Sequence, residues 1–116
     1  MDTPKIFDSE YRFCLILWRE EPINSTKLAR ICREELGWSR TTTYTVIKRL
    51  SDRGVVKNEN ATVRSLVSKE QVQVSEMDEL LEKTFEGSLP AFIAAFARRQ
   101  KLTEEEVAEL RRIIES

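Results

Sequence analysis

The side chains with most to offer a partner lie within ten residues: Arg40, Thr41, Thr42, Tyr44, Thr45, Lys48 and Arg49. Guanidinium and ammonium groups pair with phosphate oxygens. Hydroxyls donate to and accept from phosphates and base edges. On a helix of about 3.6 residues per turn, Thr41, Thr45 and Lys48 share one face. Tyr44 and Arg49 flank that face, and Arg40 lies in its first turn. Four threonines in five residues, 41 to 45, make poor helix material. A solvated face is usually Glu, Lys and Gln, so this one suits nucleic acid. The alternative is a surface helix with accidental threonines.

Other chemistries find little support. The chain has no histidine, which removes the commonest general base and metal ligand. Its carboxylates sit in surface runs such as Glu104-Glu105-Glu106, where an acid–base pair would be exposed. Three glycines form no phosphate loop. Cys14 and Cys32 lie inside apolar helical patterns without partners at metal spacing, as buried free thiols do. No enzyme activity, metal or cofactor is therefore expected.

The elements that must position these residues have marked ends. Gly37 can take a left-handed conformation and close a preceding helix. Ser39 is a good N-cap and Gly54 a good stop. Thr43, Val46, Ile47 and Leu50 fall at i, i+3, i+4, i+7 and form the buried stripe, with Val46, Ile47 and Leu50 orienting the helix from behind. Upstream, a helix over 8–19, started by Asp8 or Ser9, would bury Tyr11, Cys14, Leu15 and Trp18, with Ile16 and Leu17 widening its apolar face. Pro22-Ile23 breaks the pattern as a short extended segment. Asn24 caps a helix over 25–36 with Leu28, Ile31, Cys32 and Leu36 inward. Helix, tight turn at Gly37-Trp38 and polar-faced helix make a helix-turn-helix, whose second helix enters the major groove. Two β-branched runs, 55–59 and 62–67, flank Asn60-Ala61 and predict a hairpin, the wing of a winged helix. Lys57 and Arg64 on the wing are candidates for phosphate contact.

The second half is helical. Ser68-Lys69-Glu70-Gln71 is a capping box opening a helix over about 69–86, with Val74, Met77, Leu81 and Phe85 on one face. Ser88 caps the next helix, whose stripe is Leu89, Phe92, Ile93 and Phe96. Thr103 caps the last, with Val107, Leu110, Ile113 and Ile114 inward. The fold class is mainly α with a small β-hairpin. Residues 1–68 form a winged-helix DNA-binding domain and 69–116 a helical dimerisation domain. The intramolecular alternative is that the last helices cap the winged helix.

At 116 residues and 41% hydrophobic, the chain is globular, one small domain or a domain with an appendage. The net charge of −1 hides an asymmetry. Residues 1–67 hold twelve basic against nine acidic groups, whereas 68–116 hold seven against eleven. Within 38–67 the count is six against two, so positive charge gathers where a DNA footprint would lie. No apolar run approaches the ~20 residues of a membrane span. The opening Met1-Asp2-Thr3-Pro4-Lys5 lacks the regions of a signal peptide, so the chain is expected in the cytoplasm.

With these residues in view, the chain resembles the BlaI/MecI/CopY family of bacterial repressors, from Ile6 to Ile114. The resemblance is carried by Glu10-Tyr11 and Leu17-Trp18, Leu28-Ala29, Gly37-Trp38-Ser39-Arg40-Thr41-Thr42, Lys48-Arg49-Leu50 and Arg53-Gly54-Val55-Val56. It implies a homodimer with an N-terminal winged helix, an interlocked helical C-terminal domain and a palindromic double-stranded DNA operator. For the β-lactam branch it also implies a membrane-bound sensor protease as partner and cleavage at an Asn-Phe bond. Here Ala95-Phe96 occupies that place, with the Phe kept and the Asn absent. Phe96 is equally a core residue of its helix. No cysteine follows Cys32, so the cysteine pairs of the copper-sensing branch are missing.

The expectation is a dimeric winged-helix repressor. Ser39, Arg40, Thr41, Thr42, Tyr44, Thr45, Lys48, Arg49, Lys57 and Arg64 contact DNA. Met77, Leu81, Phe85, Leu89, Phe92, Ile93, Phe96, Val107, Leu110, Ile113 and Ile114 serve dimerisation. The competing expectation is a winged helix used only for protein–protein contact.

Overall fold

Three helices, a three-stranded sheet and the start of a fourth helix build one unit, Met1–Glu76; the remaining helices form another, Met77–Ser116. The computed structural model describes residues 3–99 and 101–116. Met1 and Asp2, part of the opening stretch read for a leader, lie outside them. The chain is mostly helical, a winged helix followed by a helical region.

Helix α1 spans Asp8–Glu20. Its first turn is closed by Glu10, whose carboxylate accepts from the Phe7 N–H at 2.9 Å. The expected stripe of Tyr11, Cys14, Leu15 and Trp18 needs correction. Phe13, Cys14, Ile16 and Leu17 are the buried face, and Leu15 is 38% exposed. Residues 13–18 are all apolar, so periodicity offers more than one stripe. Packing against the helix over Ser25–Leu36 and against the sheet selects among them. Tyr11 and Trp18 are half-buried, edge to face at 5.7 Å. The Trp18 indole N–H donates to the Val67 carbonyl at 3.0 Å, so its polar edge is satisfied.

Helix α2 spans Ser25–Leu36, and the Asn24 side chain accepts from the Thr26 N–H, as a cap should. Leu28, Ala29 and Cys32 are buried, with Ile31 and Leu36 partly so. Gly37 closes the helix at φ 70° and ψ 20°, a conformation that an added Cβ would strain. Helix α3 follows over Arg40–Asp52, with Ser39 accepting from the Thr42 N–H. Thr43, Val46, Ile47 and Leu50 form its buried face, as their spacing predicts.

The sheet is antiparallel, in the order β1 (Ile23–Asn24), β3 (Thr62–Ser65), β2 (Val56–Glu59). Asn60 and Ala61 both have positive φ, 52° and 62°, the signature of a two-residue type I′ hairpin turn. The extended Pro22-Ile23 segment contributes β1, with Ile23 paired to Val63. Val55, Val56 and Val63 point into the core, which also takes Val67 and Val72.

Helix α4 spans Lys69–Phe85, opened by reciprocal bonds between Ser68 and Gln71 at 2.7 and 3.0 Å. The expected domain division at 68/69 falls at its start, whereas the compact units divide within it, after Glu76. Its early residue Val72 belongs to the core of the first unit. On the expected face, Leu81 is buried and Phe85 half-buried, while Val74 and Met77 are exposed.

In the second unit, α5 (Leu89–Arg99) and α6 (Glu104–Glu115) begin at their expected caps, Ser88 and Thr103. Phe85 meets Phe92 edge to face at 5.5 Å, and Phe96 follows at 6.3 Å from Phe92. The inward stripes are corrected here: no residue of α5 or α6 is buried. Phe92 and Val107 are half-buried, whereas Leu89, Ile93, Phe96, Leu110, Ile113 and Ile114 are exposed, Ile114 to 77%. A piece this short cannot close a core around itself. Among the described residues, no helix is long and apolar enough to cross a membrane.

Candidate nucleic-acid interface

Helix α3 is anchored at both ends and from behind. At its entry, Trp38 stacks on Phe13 of α1, with centroids 6.1 Å apart and planes 4° apart. From behind, Leu50 is fully buried, and the Thr43 hydroxyl lies beside the Cys32 thiol of α2. Burial pushes the Cys32 and Cys14 thiols up to about 11 and about 12, and both cysteines are free. They are inert packing residues. At the exit, Arg53 forms an ion pair with Glu10 of α1, and its guanidinium lies 5.3 Å from the centre of the Phe7 ring. Burial works against the charge on Glu10. Arg53, the Phe7 N–H and the nearby Arg49 outweigh it and hold the carboxyl below its ordinary range.

The opposite face is open. Thr41, Thr45, Lys48 and Arg49 are exposed and, with Tyr44 and Asp52, line a shallow groove. Lys48 reaches Asp52 at 3.6 Å, an exposed pair worth little that a phosphate can replace. Arg40 lies over the Tyr44 ring at 5.5 Å, a cation–π contact that restrains its guanidinium. Hydrogen bonding to Thr26, Arg40 and Ser25 holds the Tyr44 phenol below its ordinary range. Ser39 and Thr42 are exposed but engaged with each other, their hydroxyls 2.9 Å apart. Their role within the chain is to cap α3.

The hairpin brings Lys57 and Arg64 together as exposed cross-strand partners. Glu59 sits beside them and bonds Lys57 at 3.0 Å. Lys57 first, then Arg64, holds the Glu59 carboxyl low. The wing therefore presents two cations balanced by one carboxylate.

Part of this surface lies outside the residues expected from the sequence. Thr26, Arg30 and Arg33 of α2 border Arg40, and none was named as a candidate. Their i, i+4, i+7 spacing on the polar face of α2 was the available signal.

Ala95 and Phe96 lie within α5, Ala95 half-buried and Phe96 exposed. Among the described residues no group of His, Cys, Asp and Glu is placed to hold a metal ion.

Comparison with known proteins gives a consistent picture. The sequence profile described as penicillinase repressor matches residues 6–116. The chain is 24% identical to the methicillin resistance regulatory protein MecI of Staphylococcus aureus (strain Mu50 / ATCC 700699), over 97% of this chain and 94% of that one. It is 26% identical to the penicillinase repressor of Bacillus licheniformis, over 97% and 91%. A MecI protein of Mammaliicoccus sciuri is 23% identical over the same share of the chain.

Proposed function

The chain belongs to the penicillinase repressor family, and from that premise we propose that it is a homodimeric transcriptional repressor that binds a palindromic DNA operator. The relatives it resembles are named as regulators and repressors, and the proposal includes no catalytic step. One observation carries it. Helix α3 is fixed on three sides and leaves a face of Thr41, Tyr44, Thr45, Lys48 and Arg49 open. Arg40 and Thr41, in the first turn, are assigned to base edges. Lys48 and Arg49, later in the helix, are assigned to phosphates, with Lys57 and Arg64 reaching phosphates from the wing.

The dimer is supported by the second unit. It leaves Leu89, Ile93, Phe96, Leu110, Ile113 and Ile114 uncovered, a surface that a second copy would bury. A winged helix reads one half-site, and a two-fold dimer reads a palindrome. Proteolysis near Ala95-Phe96, by a membrane-bound sensor protease, is the proposed route to release. It would act by breaking the dimer. The test is selection from a random duplex pool by the unaltered protein. Enrichment of an inverted repeat supports the repressor. A pool without enrichment points to the protein-contact reading instead.

A further inference from the structure

We infer that Arg30, Arg33 and Arg40, with the Thr26 hydroxyl, form a second anion site, which grips a backbone phosphate of the DNA strand beside the groove entered by α3. The inference rests on the DNA-binding reading above and assigns residues of α2 that this reading leaves without a role.

The three arginines and Thr26 line one concavity of about 180 Å³, floored by Ala29. Thr26, Ala29, Arg30 and Arg33 share one face of α2, at i, i+3, i+4, i+7. Arg40 comes from the first turn of α3. Among the described residues no ion pair engages Arg30 or Arg33. The neighbouring acid Glu35 is already held by Arg19 of α1, at 3.2 Å. Glu34 lies four residues after Arg30 on the same side of α2, yet among the described residues no ion pair joins them. Three guanidiniums around one concavity repel one another, a repulsion that an anion relieves, and their planar forks match a phosphate in two-pronged geometry.

The walls are also tied together. Tyr44 stands between them: the Arg40 guanidinium lies 5.5 Å over its ring, and Thr26, then Arg40, lowers its phenol. Arg40 is thereby shared between the groove face and this concavity. In a helix-turn-helix the first helix crosses the DNA backbone while the second lies in the groove. The concavity lies on the outer face of that first helix.

The experiment uses the full chain and a duplex selected by it from a random pool. Binding is titrated over a range of salt concentrations for the unaltered protein, Arg30→Gln, Arg33→Gln and Arg33→Lys. Arg111→Gln, which removes the same charge from α6, is the control. Each phosphate contact contributes about −0.9 to the slope of log affinity against log salt. In the proposed homodimer each substitution acts in both protomers, so Arg30→Gln and Arg33→Gln should each flatten the slope by up to about two, equally on the selected duplex and its point variants. Arg33→Lys and Arg111→Gln should keep it. Both α2 arginines are exposed, so melting temperatures should hold. Coincident slopes for all proteins would overturn the inference while leaving DNA binding intact. Equal flattening by Arg111→Gln would overturn it as a general charge effect. Protection of the unaltered protein, but not of Arg33→Gln, by inorganic phosphate alongside coincident DNA slopes would overturn it in favour of a free anion. If the unaltered protein binds no duplex, the DNA reading itself fails.

Discussion

Arg53, the residue that ends α3, forms an ion pair with Glu10 in the first turn of α1. The pair lies against the core, with Glu10 only 6% exposed, and it fixes the far end of the candidate reading helix. Glu10→Gln keeps the shape and removes the charge. It should destabilise the protein by about 1.5–3 kcal/mol, the range for a hydrogen bond to a charged group. Urea unfolding at neutral pH measures this, and an unchanged midpoint would remove the pair from the account.

The same pair predicts a pH dependence. The folded Glu10 carboxyl lies below its ordinary value, because Arg53 and the Phe7 N–H outweigh burial. Its contribution is therefore complete above the unfolded value of about 4.3 and is lost as pH falls through the lowered folded value. The stability gap between the unaltered protein and Glu10→Gln should be constant near neutrality and close in acid. A gap that widens in acid would contradict this sign.

Much of this unit was legible in the sequence because its signals are local. Gly37 and Ser39 mark a turn by backbone chemistry alone, and Thr43, Val46, Ile47 and Leu50 stand on one face among polar residues. Helix α1 was misphased because residues 13–18 are all apolar, so tertiary packing decided between Phe13 and Leu15. Arg30 and Arg33 were not legible as part of the site because they share a concavity with Arg40 only across the turn. The stripes of α5 and α6 were found, yet a pattern names an apolar face without naming what covers it.

That uncovered face gives the assembly prediction. Ile113 is 61% exposed, so within one chain Ile113→Glu should leave folding nearly unchanged. In a dimer it should bury a charge, and light scattering should show the variant dissociating at concentrations where the unaltered protein is dimeric. A monomeric unaltered protein at tens of micromolar would end the dimer proposal.

The release prediction concerns α5 and α6. A chain ending at Ala95 loses Phe96 and all of α6, and with them most of the uncovered apolar face. It should be largely monomeric and bind the selected duplex far more weakly, while the first unit keeps its helical signal. A truncated chain that dimerises and binds normally would rule out a proteolytic switch at this bond.

The central claim is that the open face of α3 reads DNA. The most direct measurement is a binding titration of the unaltered protein, Thr41→Ala and Lys48→Ala against the selected duplex and its point variants, at two salt concentrations. The unaltered protein should bind with affinity that falls steeply with salt. Thr41→Ala should lose about 1–3 kcal/mol of discrimination at one base position, whereas Lys48→Ala should weaken every duplex alike and flatten the salt dependence. Binding by all three proteins with identical preferences and identical salt slopes would contradict the claim and move the DNA surface away from α3.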